Sequence, residues 1–179
     1  MSTIDLIAAL EAAGELVRFE PRSRRPLTRE LFMTASAVRV LNDPQSPTNI
    51  LVGRGHILAA LERWVRGELV HAQSGRGGYL KRLESPPREI WEIRVTQPVT
   101  HARLFVRFAR PNTLVMTHLR TRGSLGKKIV RGTKSDHWAK ALSECETEWD
   151  RLFPGHQPFS ANGIHEYITE NCDDFDLAD

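Results

Sequence analysis

Between positions 93 and 135 the chain carries ten arginines and lysines and no aspartate or glutamate. They are Arg94, Arg103, Arg107, Arg110, Arg120, Arg122, Lys127, Lys128, Arg131 and Lys134. Cations at this density repel one another unless a polyanion neutralises them, and nucleic-acid phosphate is the usual one. Aromatic residues are interleaved with the charges, and the Arg103, Phe105, Arg107 alternation would set two guanidiniums beside a ring able to stack a base. A solvated face whose acids come from elsewhere in the fold is the competing reading. His118 lies inside the run and is the residue type whose ordinary pKa suits proton transfer near neutrality.

Other chemistries lack their residues. Gly53-Arg54-Gly55 and Gly75-Arg76-Gly77-Gly78 have neither the Lys-Ser/Thr pair nor the helix context of a phosphate-binding loop. No Gly-x-Ser-x-Gly is present for an esterase. The seven histidines are scattered, with no ligand pair on one helix face, so neither a metal nor another cofactor is expected. Cys145 and Cys172 are too few for a disulfide framework, and Cys145 falls at an apolar position of an expected helix.

At 179 residues the chain is long enough for one good core and a second small unit. Its net charge of +3 conceals a basic middle and an acidic end, since six acids and no lysine or arginine lie between positions 164 and 179. That end reads either as a solubilising tail or as a cover for the basic surface. No stretch has the roughly 18 apolar residues of a membrane span, and the first residues lack a basic-then-apolar signal pattern. A cytoplasmic protein is expected.

The elements that must hold these residues follow from periodicity. Helical spacing predicts helices near residues 3–13, 29–41, 56–66 and 136–152, with a shorter one near 163–171. Residues 16–19 suit a short strand, and the polar, Pro-containing run 42–49 reads as a linker. After residue 78 the period changes to two, and residues 79–83, 90–95, 102–109 and 113–120 read as four strands with short separators. Such separators suit an antiparallel meander, because parallel strands need long crossovers.

This order carries a resemblance. From position 57 the chain runs helix, Tyr79-Leu80-Lys81-Arg82-Leu83, Ile90-Trp91-Glu92-Ile93-Arg94-Val95, Ala102-Arg103-Leu104-Phe105-Val106-Arg107-Phe108 and Leu114-Val115-Met116-Thr117-His118-Leu119. The Lys127-Lys128 loop and a helix bearing Ala139 and Ala141 follow. The chain resembles the RelE superfamily, most closely its phage-derived, HigB-like branch, over residues 57–149. The resemblance implies an α+β fold with a small four-stranded antiparallel sheet flanked by helices, here with an added N-terminal helical segment. Its division would be 1–49 for that extension, 50–153 for the family domain and 154–179 for the acidic segment.

The resemblance also implies a toxin of a toxin-antitoxin pair. Such a protein is a metal-independent endoribonuclease that cuts mRNA on the ribosome by attack of a 2′-hydroxyl on the adjacent phosphate. Its partners would be RNA, the ribosome and an antitoxin protein. Arg103, His118, Arg120 and Lys128 would carry the catalysis, with Arg94, Arg107, Arg122, Lys127, Arg131 and Lys134 holding RNA. The chain departs from the family pattern at Ala102, where an aromatic is usual, and after its last long helix, where Asp150 and His156 stand at an unusual spacing. The alternative is a non-catalytic module of the same fold, of phage origin, that binds nucleic acid or protein.

Overall fold

Glu30-Leu31-Phe32-Met33-Thr34 places three large apolar side chains in succession, which helical and strand patterns both accommodate. In the computed structural model, which describes residues 2–21, 26–72, 78–97, 101–126 and 135–173, this segment is a strand. Leu31 and Met33 enter one core and Phe32 the other, as in a strand covered on both faces. Thr34 ends the strand and starts a helix. Its hydroxyl donates to the Thr117 carbonyl at 2.7 Å and accepts from the Ala37 amide at 3.1 Å, a side-chain cap.

The strands are β1 (Leu16–Arg18), β2 (Glu30–Thr34), β3 (Leu80–Glu84), β4 (Ile90–Val95), β5 (Ala102–Arg110) and β6 (Thr113–Thr121). They form one six-stranded sheet in the order β1-β2-β6-β5-β4-β3. β2 runs parallel to β6, and the other pairs are antiparallel. The expected fold, a four-stranded antiparallel sheet with an added N-terminal helical segment, is therefore corrected. The β3–β6 meander is present, but the sheet is larger and mixed. The N-terminal segment contributes two strands to it, because the buried run at 31–33 satisfies its backbone against β6.

The helices are α1 (Thr3–Ala12), α2 (Ala35–Asn42), α3 (Thr48–Val65), α4 (Asp136–Leu152) and α5 (Ile164–Tyr167). α3 begins well before the expected position 56, running through Gly53 and Gly55, so the linker at 42–49 is shorter than its composition suggested. Ile57, Leu61 and Trp64 of α3 and Tyr167 of α5 cover Leu104, Val106, Phe108, Leu114 and Met116 on one sheet face. Trp64, Trp91 and Tyr167 lie 4.9–5.9 Å from Phe108, ring centre to ring centre. Such aromatic pairs contribute about 0.5–1.5 kcal/mol each beyond area burial.

α1 and α4 cover the opposite face. Leu6 and Ile7 of α1 and Trp149 and Leu152 of α4 pack on Phe32 and Val115. Ala141, Leu142 and Cys145 of α4 pack on Phe105 and Ile90. The molecule is thus a helix–sheet–helix sandwich. Arg29, almost wholly buried, stacks over Trp64 and donates to the carbonyls of Glu68, Glu170 and Asn171. That fork fastens the C-terminal segment to the end of α3. Among the described residues no helix is long and apolar enough to cross a membrane.

Candidate nucleic-acid interface

Antiparallel register decides which cations of the run meet. Arg94 on β4 stands opposite Arg103 on β5, and Arg103 stands opposite Arg120 on β6. Directly opposed residues share a sheet face, so three guanidiniums form one row across three strands on the α4 side. Adjacent strands are about 4.8 Å apart, which sets the row's span at about 10 Å. The next row along the same face is Lys81, Glu92, Phe105 and His118.

Glu92 is the hub between the rows. It is 1% exposed; one carboxylate oxygen accepts from Arg94 Nε at 2.9 Å and the other lies 3.2 Å from Arg103 Nε. Burial raises its carboxyl pKa, and the Arg103 and Arg94 charges pull the other way without overcoming it. Burial likewise lowers the pKa of Arg103 from its high ordinary value, with Glu92 opposing. A guanidinium offers five donors in a rigid fork. Arg103 commits Nη1 to the Ala102 carbonyl at 2.9 Å and points Nε at Glu92. The row opens toward Arg120, which is about one-third exposed and pairs with Glu144 of α4 at 2.6 Å.

His118 lies in the row behind Arg120 and stacks on Phe105, with ring centres 4.6 Å apart and planes 10° from parallel. Its Nδ1 is 3.0 Å from the Thr117 hydroxyl, and its buried Nε2 has no hydrogen-bond partner among the described residues. Burial, reinforced by the Arg120 charge, pushes its pKa down to about 3. The ring is therefore neutral at physiological pH and a weak base there.

The remaining cations separate. Arg122, just past β6, donates to the Gly126 carbonyl at 2.9 Å and lies 6.0 Å from the Trp138 ring centre, on the α4 side near Arg103. Arg107 shares the sheet face but not the open row. It is 3% exposed, lies 5.2 Å from the Trp149 ring centre beneath α4, and donates to the Arg88 carbonyl. Arg110 is at the far end of β5, paired with Glu30 at 2.5 Å. Lys127, Lys128, Arg131 and Lys134 lie outside the described residues. Carboxylates from outside the run thus meet it at Glu30, Glu92 and Glu144.

Neither Glu92 nor Glu144 is among the residues that the sequence alone singles out. Glu92 had a signal, an acid that shares a short and mostly apolar strand with one other charge, Arg94. Glu144 had a weaker one, its place beside the buried stripe of Ala141, Cys145 and Trp149. Next to Arg120, a cavity of about 440 Å³ is lined by Ser36, Thr117, His118, Lys140, Glu144 and Thr147, among others. Among the described residues, no group of three or more His, Cys, Asp or Glu side chains is placed to hold a metal ion. No protein-family model matches the chain, and no curated protein or solved structure matches it either.

Proposed function

We propose that the protein binds RNA, holding a backbone phosphate at the open end of the Arg94, Arg103 and Arg120 row. The row itself carries the proposal: three guanidiniums occupy directly opposed sheet positions with two carboxylates, Glu92 and Glu144, among them, which leaves an excess positive charge that favours a further anion. Glu92 fixes the inner two by ion pairs from beneath. Arg120 is the accessible member, and its carboxylate partner is equally exposed, so a phosphate can compete for it at little cost. The sheet face then acts as a prebuilt oxyanion clamp.

The test is equilibrium binding of a short single-stranded oligoribonucleotide as a function of salt. Binding should weaken steeply with salt, and Arg120→Ala should lower the magnitude of the log–log slope by about 0.7, the share of one single-strand phosphate contact. Salt-independent binding, or no binding at low salt, removes the reading.

Strand cleavage on the ribosome, as a toxin-type endoribonuclease, is the second reading. It is supported by the same row, because convergent guanidiniums stabilise a charge-rich phosphoryl transition state. It is weakened by His118, which has too low a pKa to exchange protons efficiently near neutrality. Expression of the chain should arrest growth and fragment ribosome-bound message if this reading holds, with Arg103→Ala relieving both. Intact message and normal growth leave the binding function alone.

A further inference from the structure

His118 Nε2 and the Glu144 carboxylate face each other at 3.9 Å beside the cavity between the start of α2 and α4. The Thr117 hydroxyl has one proton, and its oxygen lies 3.3 Å from both the Phe105 carbonyl and Cys145 Sγ. With that proton directed to either group, the hydroxyl oxygen accepts from Nδ1–H of His118 at 3.0 Å. This assignment from the hydrogen-bond network leaves Nε2 as a bare lone pair. A buried acceptor facing a carboxylate calls for a hydrogen-bond donor between them.

We propose that this cavity receives the ribose of the nucleotide whose phosphate sits on Arg120, with His118 Nε2 accepting a hydrogen bond from the sugar's 2′-hydroxyl. The inference rests on the phosphate reading and adds a sugar specificity to it. His118 and Arg120 are two residues apart on β6 and share a face with Arg103 and Phe105, so they stand about 7 Å apart along the strand. A nucleotide presents phosphate and ribose side by side on a similar scale. The cavity, at about 440 Å³, is large enough for a nucleoside, and Ser36, Ser143 and Thr147 line it with hydroxyls.

Glu144 controls access. Paired with Arg120, it stands over Nε2; a phosphate that takes Arg120 releases it and uncovers the ring. The imidazole then accepts a hydrogen bond from the 2′-hydroxyl through its bare Nε2 lone pair. RNA is thereby distinguished from DNA by a group that DNA lacks.

The experiment measures binding of three single-stranded oligonucleotides of one uracil-containing sequence, with ribose, 2′-deoxyribose and 2′-O-methylribose, to the full chain at low salt. The ribose form should bind about tenfold more tightly than either of the others, the scale of one buried acceptor satisfied. His118→Phe keeps a ring on Phe105, and Thr147→Trp fills the cavity from an exposed site on α4. Each should bring the ribose-to-deoxyribose ratio to about one, His118→Phe through loss of the ribose advantage alone and Thr147→Trp with weaker binding of both sugars, since it fills the space either would occupy. Equal, salt-sensitive binding of all three oligonucleotides by the unmodified chain overturns the ribose assignment and leaves the phosphate reading intact. A ratio unchanged in both variants also overturns it. Failure of all three oligonucleotides to bind overturns both readings together.

Discussion

Arg103 and Arg120 stand directly opposite each other on β5 and β6, each with its own carboxylate: Glu92 beneath the first and Glu144 beside the second. The two pairs differ in kind. Glu92 and Arg103 are nearly buried, whereas Arg120 and Glu144 are each about one-third exposed. The first pair is structural and the second is exchangeable.

Arg120→Ala removes an exposed ion pair, so stability should change by no more than about 1 kcal/mol. Affinity for RNA should nevertheless fall several-fold at low salt, because one phosphate contact is lost. Urea unfolding and anisotropy titration on the same preparation separate the two effects. A large loss of stability would place Arg120 in the framework instead.

Glu92→Leu leaves Arg94 and Arg103 side by side without their shared carboxylate. Removing one partner of a buried ion pair costs about 3–5 kcal/mol, and the urea midpoint should drop accordingly with little change in slope. A loss below 1 kcal/mol would mean that Glu92 does not anchor the row.

The His118 pKa is lowered from 6.5 to about 3, which has a definite sign. The unfolded chain takes up a proton below pH 6.5 that the folded chain refuses until about pH 3. Stability from this residue is therefore full above the unfolded pKa and falls as the pH drops through the window. At pH 4 the loss is about 3 kcal/mol relative to pH 7. His118→Phe should flatten that part of the stability–pH curve. An unchanged acid limb would show that the imidazole is accessible to protons in the folded state.

Glu144→Ala should strengthen RNA binding several-fold, since it removes the carboxylate that competes with phosphate for Arg120. Titration of the variant against the unmodified chain reads this directly. Weaker binding would mean that Glu144 holds Arg120 in its productive position.

The sequence marks the β3–β6 meander clearly, because its strands alternate with period two and its separators are short. β2 was hidden by local physics: Leu31-Phe32-Met33 fits a helix face as readily as a doubly covered strand, and its β6 partner lies over 80 residues away. The row was partly legible. Arg94, Arg103 and Arg120 were singled out separately, but only register places them opposite one another. Arg107 shows what alternation leaves out, because sharing a face with Arg103 does not keep it from burial against Trp149. Glu144 reaches the site through tertiary packing of α4, which leaves little trace in a linear pattern.

The central claim is that phosphate is received at the open end of this guanidinium row. It is tested most directly by following the arginine Nε–H resonances of ¹⁵N-labelled protein while a short oligoribonucleotide is added. The Arg120 signal should move most and Arg103 next, with the buried Arg29 and Arg107 signals unmoved. Shifts confined to other arginines, or none at saturating RNA, would contradict the account.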